Sequence, residues 1–387
     1  MNNLKSQFLL DPALTFLNFG SFGACPAPVL ARYQEIQRIA EKDPVNFFFR
    51  VGTQLLNESR EALEQYLHCP ALDLVYVSSP TFAVNLVAMN LDLQPGDEVL
   101  ATDIEYGACD RAWKWHCGKK GAKYVRQPIH FPLSDPDELL AQLFAGVTER
   151  TRMIFVSHIT SSTAIILPVE KIIARAKELG ILTFIDGAHV PGHIPLNLET
   201  LDCDYYTGAN HKWMMTPRGN SFLYARRSLQ TGLDPLVVSW GYEAMYPTES
   251  QFQDYHLING TRDYTSLMTT PASIQFMKDH DWTSVAARCR QMVRDNAPRL
   301  LEILGSEPLT TIDERFIGQM YSARIRTDNP EGLHDLLYDE YQIQVPIMRQ
   351  ENDVYLRYSI NGFNEQQDMD RLFEALTDLR GKGLIHT

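Results

Sequence analysis

Short apolar runs alternate with longer amphipathic segments through the middle of the chain. Leu74-Val75-Tyr76-Val77 is an unbroken apolar run of strand length, and a turn at 78–81 separates it from a helical pattern over 82–90. Further predicted strands lie at 98–101, 123–126, 152–156, 181–185, 204–206 and 220–224, and further helices at 106–118, 136–144 and 169–179. This alternation predicts an α/β fold with a mostly parallel sheet, whose polar groups gather at the carboxyl ends of the strands.

The two ends of the chain have a different pattern. A strand-like piece at 16–19 precedes Gly20-Ser21-Phe22-Gly23, which with Pro26 and Pro28 predicts irregular backbone rather than helix. Helices are predicted over 29–42, ended by Asp43-Pro44, and over 51–67. After Pro271 the predicted elements are helices at 272–278, 282–304 and 365–380 and antiparallel strands at 320–325, 344–347 and 354–359. We therefore expect a smaller α+β unit at the C-terminus.

These patterns predict three parts of the chain. Residues 1–30 form an N-terminal arm, 31–270 a large α/β domain, and 271–387 a small α+β domain. The helices within 31–67 are expected to pack with the small domain.

Composition narrows the class of protein. The net charge of −13 over 387 residues, with no long basic block, argues against nucleic-acid binding. No apolar stretch is long enough to cross a bilayer, and the start lacks the features of a signal peptide, so we expect a cytoplasmic protein. The six cysteines contain no CxxC pair and no His/Cys cluster with zinc spacing, which predicts reduced cysteines and no metal site.

The candidate chemistry lies between Asp186 and Lys212. The strand at 181–185 ends on Asp186, and a turn of small residues at 207–211 delivers Lys212 next to Trp213-Met214-Met215. A lysine can form a Schiff base with the aldehyde of pyridoxal 5′-phosphate (PLP), and a carboxylate can keep its pyridine nitrogen protonated. Apolar surroundings lower the pKa of a lysine, as this chemistry requires. Taken singly, a lysine after small residues is usually a surface residue, and the aspartate could merely cap a helix.

Two boxes carry a family resemblance. Asp-Gly-Ala-His at 186–189 and His-Lys at 211–212 resemble the fold-type I PLP enzymes of aminotransferase class V, which include cysteine desulfurases, selenocysteine lyases and kynureninases. The segments most similar to the isopenicillin N epimerase branch, and to the related ergothioneine-pathway C–S lyases, are 17–23, 105–108, 160–163 and 260–263. The resemblance spans about 16–376, nearly the whole chain.

The resemblance implies roles around the cofactor ring. Lys212 would hold the cofactor and carry the Cα proton, and Asp186 would pair with the pyridinium nitrogen. His189 would hydrogen-bond the ring oxygen O3′, unless it is a structural histidine, and Tyr106 would stack on the ring. Ser161 lies where many relatives carry an asparagine near O3′ and the substrate.

The resemblance also implies how the two ends of the ligand are bound. The cofactor phosphate would be bound by the turn Ser79-Pro80-Thr81, in which Pro80 offers no N–H, and by His211. Gly260 and Thr261 would reach the phosphate of the neighbouring subunit, which implies a homodimer with shared active sites. The residues expected at the substrate are Arg357, which would grip its α-carboxylate, and Ser21 and Phe22. A lone arginine on a strand is more often solvated, so Arg357 depends on the resemblance.

The function expected is that of a PLP enzyme acting at the α-carbon of an amino acid or amino-acid-terminated compound, similar to isopenicillin N epimerase. The alternatives are a C–S β-lyase of cysteine conjugates or sulfoxides, an aminotransferase, and a non-catalytic class V scaffold. The desulfurases use a nucleophilic cysteine near 341–347, but this chain has none after Cys289. A protein-bound persulfide is therefore not expected.

Overall fold

The computed structural model describes residues 4–245, 247–257 and 259–386. The strands are β1 Thr15–Phe16, β2 Leu74–Val77, β3 Glu98–Thr102, β4 Lys123–Gln127, β5 Thr151–Ser157, β6 Leu182–Gly187, β7 Tyr205–Ala209, β8 Ser221–Ala225, β9 Met320–Arg324, β10 Ile343–Gln344, β11 Ile347–Gln350 and β12 Asp353–Ser359. The α-helices are α1 Phe19–Phe22, α2 Ala27–Lys42, α3 Pro44–Asn46, α4 Gly52–Tyr66, α5 Pro80–Asn90, α6 Gly107–Lys119, α7 Pro136–Phe144, α8 Val169–Glu178, α9 Leu198–Leu201, α10 Gln251–Leu257, α11 Thr270–Asp279, α12 Trp282–Leu304, α13 Pro330–Asp339 and α14 Gln366–Gly381. A π-helical turn covers Phe47–Val51, and 3₁₀ turns cover Leu4–Gln7, Arg227–Gly232 and Leu267–Thr269.

A seven-stranded sheet lies at the centre of the described ranges, in the order β2-β8-β7-β6-β5-β3-β4. Its pairings are parallel except those of β8, which runs antiparallel to β2 and β7. Alternate residues of β5 enter two separate cores, because Ile154 and Val156 pack on one face and Met153 and Phe155 on the other. Burial on both faces explains the unbroken apolar runs of the sequence. The predicted fold class is confirmed.

The strand register brings the ends of the central strands to one edge. Val77 of β2 and Ala209 of β7 both pair with Ser221, the first residue of β8. Asp186 near the end of β6 pairs with Ser157 at the end of β5. The segments that follow β2, β5, β6 and β7 therefore all start at this edge, where ligands bind in open parallel sheets.

The C-terminal part contains a three-stranded antiparallel sheet, in the order β11-β12-β9. Helix α12 packs against β9 and against α14. The central strand β12 carries Arg357, which pairs across the sheet with Ser322. Strand β1 pairs in parallel with β10, so the N-terminal segment is tied to the C-terminal part.

One prediction near the N-terminus is wrong. Residues 19–22 form the short helix α1 instead of irregular backbone, and Gly23 ends it with φ +63°. Helix α2 begins at Ala27, because Pro28 occupies its first turn, where no backbone N–H is needed. The helix predicted over 51–67 is confirmed as α4, and α3 and the π-helical turn precede it, so the chain is already helical from Pro44.

The predicted strand 344–347 is also wrong. Ile343–Gln344 pairs with β1 and Ile347–Gln350 forms a hairpin with β12, so these residues belong to two different sheets. Pro346 lies between them and has no N–H to continue a ladder. Helices α9, α10 and α13 were not predicted. The division into an arm and two domains stays a prediction.

None of the helices in the described part of the chain has both the length and the apolar character required to cross a membrane.

Candidate active site

Asp186 is a buried carboxylate with one oxygen that lacks a strong donor. Its side chain is 3% exposed, and Oδ1 accepts the backbone N–H of Ala188 at 2.9 Å. Among the described residues, Oδ2 accepts a hydrogen bond from the thiol of Cys109 alone, at 3.5 Å, and a thiol is a weak donor. Burial raises the pKa of Asp186, while the Ala188 N–H and the charge of Lys212 act in the opposite direction. The carboxylate therefore has room for a strong cationic donor at Oδ2.

Lys212 follows β7 and points to the same edge. Its Nζ lies 3.3 Å from Nε2 of His189. Burial lowers the pKa of Lys212 to about 8, and the charge of Arg357 acts in the same direction. An amine with this pKa is about half uncharged at pH 8, and the uncharged form is a nucleophile and a base.

His189 is held beneath the lysine. Its ring is 2% exposed, and its Nδ1 accepts the indole N–H of Trp213 at 3.2 Å. Burial lowers the pKa of His189 well below its usual value, and the charges of Lys212 and Arg357 lower it further. The imidazole is therefore uncharged.

Arg357 is a buried guanidinium with an unused donor. Its Nη1 donates to the carbonyl of Ser161 at 2.7 Å, and its Nη2 donates to Ser21 Oγ at 3.2 Å and to Asn18 Oδ1 at 3.5 Å. The residue is 1% exposed, yet Nε has no hydrogen-bond partner among the residues that the structure describes. Burial lowers the pKa of Arg357 to about 10. Because its described acceptors are all neutral, this cation lacks the counter-ion that a buried charge requires.

Helix α1 lies between Arg357 and the lysine turn. A Cβ on Gly20 would lie 3.2 Å from Nη2 of Arg357 and 2.6 Å from the sulfur of Met320. A Cβ on Gly23 would lie 2.3 Å from the carbonyl oxygen of His211. Glycine is thus required at both positions by close approach to the site.

The start of α5 forms a corner suited to a phosphate. Ser79 caps the helix by accepting the N–H of Phe82 at 3.2 Å, which leaves its hydroxyl hydrogen available. Pro80 is the first helical residue, Thr81 follows, and both are half-buried. The first turn of a helix presents N–H groups without intrahelical acceptors and favours an anion.

His211 has a defined orientation at the lysine turn. Its Nδ1 lies 3.1 Å from the carbonyl oxygen of Asn220, which can only accept, so Nδ1 carries a proton. Burial lowers the pKa of His211 to about 4. Its Nε2 can donate to a phosphate only as an imidazolium, a form that a phosphate dianion stabilises.

Tyr106 offers an open aromatic face at the same edge. It precedes α6, and its side chain is 48% exposed. The neighbouring Glu105 is fully buried and accepts hydrogen bonds from Thr102 Oγ1 at 2.5 Å and from the N–H and hydroxyl of Ser157 at 2.8 and 2.5 Å. Burial raises the pKa of Glu105 to about 8. Glu105 thus anchors the backbone that carries Tyr106 to the end of β5.

Three predicted site residues are not joined to this cluster. In the described part of the chain, no hydrogen bond links Gly260 or Thr261 to Asp186, Lys212 or Arg357. Thr261 is exposed, and the side chain of Phe22 is 67% exposed. Their roles stay predictions.

Four residues at the site were not predicted to have a role there: Asn18, Glu105, Cys109 and Trp213. The sequence predicts Cys109 only as a reduced cysteine and Trp213 only as apolar surroundings for the lysine. The signal that could have identified Trp213 is its position directly after Lys212.

The residues present fit PLP. Lys212 has a lowered pKa, Asp186 has an oxygen open to a protonated ring nitrogen, and Arg357 has a buried donor open to an anion. The α5 corner provides a place for the phosphate.

Comparison with known proteins agrees with this geometry. The sequence model of the family described as aminotransferase class-V matches residues 26–372. Isopenicillin N epimerase of Amycolatopsis lactamdurans is 34% identical over 392 aligned residues, which cover 97% of this chain and 98% of the epimerase. Putative L-cysteine desulfhydrase 1 of Oryza sativa subsp. japonica is 26% identical and covers 95% of this chain and 83% of its own length.

A solved structure has the same fold. The complex between the cystine C-S lyase C-DES and its reaction product cysteine persulfide matches with a TM-score of 0.84 at 21% identity, over 94% of this chain and 97% of that chain. The predicted resemblance to class V and to its isopenicillin N epimerase branch is confirmed.

Proposed function

Because the chain belongs to the aminotransferase class-V family and is a PLP enzyme acting on an amino-acid substrate, we propose that Arg357 binds the substrate α-carboxylate and that Lys212 moves the Cα proton. The observation that carries this proposal is the buried guanidinium of Arg357, whose Nε has no partner. A carboxylate would supply both the missing acceptor and the missing negative charge. Ser21 lies 3.2 Å from Nη2 and lines the same position.

Lys212 has the properties of a proton carrier. With a pKa of about 8, roughly a tenth of the amine is free at pH 7, and the fraction rises with pH. The bound cofactor supplies an electron sink for the pair left at Cα when the proton departs. Asp186 would hold the ring nitrogen protonated, and Tyr106 would cover one face of the ring.

We propose epimerisation at Cα, as in isopenicillin N epimerase, as the main reaction. The supporting observation is the 34% identity to that enzyme over 97% of the chain. A second candidate is β-elimination from a cysteine-type substrate, which is supported by the desulfhydrase similarity over 95% of the chain. Both reactions begin with removal of the same proton and differ in whether a β-substituent departs.

Proton NMR in D₂O distinguishes these two reactions. The holoenzyme is mixed with cysteine, cystine, S-substituted cysteines, their sulfoxides and peptides with a free aminoadipyl end. Deuterium at Cα with inversion and no other product supports the epimerase. Formation of pyruvate, ammonia and a released thiol or sulfenate would instead support the lyase reaction. If no compound of this panel exchanged its Cα proton, both proposed reactions would be contradicted.

We also propose a homodimer with shared active sites. The proposal is supported by large exposed apolar side chains, among them Phe49 at 80%, Trp240 at 82% and Met245 at 77%. Thr261, which the resemblance assigns to a neighbouring phosphate, is exposed in its own chain. Trp240 and Met245 lie in one segment that also carries the exposed Val237, Val238 and Tyr242. Exposed apolar residues that cluster in this way mark protein interfaces.

A mixing experiment tests this arrangement. Lys212→Ala and Thr261→Ala are each expected to lose activity, and mixed dimers should regain it, because one of their two sites then has both residues intact. If Thr261 served its own subunit, every site in the mixture would lack one residue and no activity would return.

We propose the cytoplasm as the compartment. The support is that all six cysteines are free, four of them buried, as expected under reducing conditions. Cell fractionation tests it, and recovery from an oxidising compartment would contradict it.

A further inference from the structure

The indole of Trp213 donates a hydrogen bond to His189 and cannot accept one in return. The indole N–H of Trp213 lies 3.2 Å from Nδ1 of His189, and both side chains are buried, at 0% and 2% exposed. An indole nitrogen donates and never accepts, so Nδ1 must be an acceptor. The single proton of the neutral ring then lies on Nε2. An imidazolium is disfavoured as well, because it would turn a second N–H toward the indole.

The indole itself is fixed from two sides. The ring of His193 lies 4.2 Å from that of Trp213, and the ring of Phe19 lies 5.2 Å away, measured between centroids. His193 has a defined tautomer too, since its Nε2 accepts the backbone N–H of Gln319 and its Nδ1 donates to the carbonyl of His189 at 2.9 Å. Backbone groups thus lock His193, which supports Trp213 and holds the backbone of His189.

We infer that Trp213 is a positioning residue that makes His189 a donor at Nε2 only, directed at Lys212 and, in the holoenzyme, at the phenolic oxygen of PLP. The distance of 3.3 Å from Nε2 to Nζ of Lys212 supports this direction. The part that concerns PLP rests on the proposed function; the tautomer rests on the contacts of this chain alone.

A fixed donor at Nε2 has a chemical consequence. It stabilises an acceptor, such as an uncharged lysine amine or an ionised phenolic oxygen, and it opposes a cationic neighbour. Without the indole, the imidazole could place its proton on Nδ1 and turn a bare nitrogen toward Lys212. Trp213 therefore excludes one of the two tautomers that a neutral His189 would otherwise populate.

Nitrogen NMR tests the tautomer directly. The chain has 11 histidines, and with ¹⁵N-labelled histidine the signals of His189 are assigned by their loss in His189→Gln. In wild-type protein, with and without PLP, we expect Nδ1 to be unprotonated and Nε2 protonated. Trp213→Phe should populate the opposite tautomer. A wild-type spectrum with a protonated Nδ1 would overturn the inference, even if the variant fails to fold.

Trp282→Phe is the matched control. Trp282 is also buried and also donates through its indole, to the carbonyl of Gly192 at 3.0 Å in the same loop, and in the described part of the chain it makes no hydrogen bond to His189. This variant should keep the wild-type tautomer while losing a comparable amount of packing. If both variants shift the tautomer equally, the effect is general loosening and Trp213 has no special role.

Steady-state kinetics supply a second readout. Trp213→Phe should lower kcat roughly tenfold to a hundredfold, the effect of one hydrogen bond to a charged group, with little change in KM. A change confined to KM would contradict a role at the cofactor. If the wild-type tautomer is as expected but no substrate exchanges its Cα proton, the proposed function fails and this inference stands.

Discussion

The two ends of the candidate site differ in how their charges are balanced. At the sheet edge, Asp186 and Lys212 carry opposite charges, and each shifts the pKa of the other toward its charged form. On β12, the cation of Arg357 contacts only neutral oxygens and leaves Nε without a partner. We therefore expect the sheet edge to hold a permanently bound cofactor. Arg357 is expected to bind a substrate anion, which would supply its missing acceptor and negative charge.

We expect the greatest loss of activity when Lys212 at the sheet edge is replaced. Lys212→Ala removes the proton carrier and should lower the rate of Cα exchange by at least ~10³-fold, within the range of general acid–base catalysis. The rate is measured by proton NMR in D₂O. Lys171→Ala, at an exposed lysine paired with Asp137, is the control and should leave the rate unchanged. Comparable losses in both variants would mean that Lys212 has no special role.

A smaller effect is expected at the arginine. Arg357→Lys keeps a charge but loses the fork, so kcat/KM should fall about tenfold to a hundredfold, mainly through KM. Steady-state kinetics with the best amino acid of the panel measure this change. Arg349→Lys, at an exposed arginine paired with Glu331, is the control. An unchanged KM in Arg357→Lys would show that the substrate α-carboxylate does not bind to Arg357.

Two glycines sharpen the comparison through stability. Gly20→Ala places a methyl group 2.6 Å from the sulfur of Met320 and should lower the free energy of unfolding by about 1–3 kcal/mol. Gly118→Ala meets nothing within 4 Å in α6 and should raise it by about 0.5–1 kcal/mol. Urea unfolding measures both. Equal effects would mean that α1 is not tightly packed on the arginine.

The smallest effect concerns the pH dependence of stability without PLP. Because the folded pKa of Lys212 is about 8, below its ordinary value, the unfolded chain binds more protons between these two values. Below pH ~8 the folded protein therefore carries the full free-energy cost of a buried, charged Lys212. This cost disappears as the pH rises toward ~10.4. Lys212→Met should be more stable than wild type by about 1–2 kcal/mol at neutral pH, with a smaller difference at high pH. A difference that grows with pH would contradict the lowered pKa.

The sequence predicts the edge far better than it predicts the arginine end. Strands buried on both faces give unbroken apolar runs, so the position of Asp186 at a strand end follows from local pattern alone. Helix α1 does not, because Gly20 meets Met320 and Arg357, which lie more than 290 positions away. The pairing of β1 with β10 and the split of 344–347 also depend on distant partners. The role of Trp213 was missed because its spacing indicates burial but not where its N–H points.

Cα–deuterium exchange in D₂O with matched pairs of compounds shows directly whether Arg357 binds the substrate carboxylate. Each pair contains an amino acid and the amine that lacks its α-carboxylate, presented to the wild-type holoenzyme. We predict exchange for the amino acids and at least ~10-fold slower exchange for the amines, because only the acids satisfy the open Nε of Arg357. Equal exchange for acids and amines would contradict the account, since the buried guanidinium would then have no part in binding substrate.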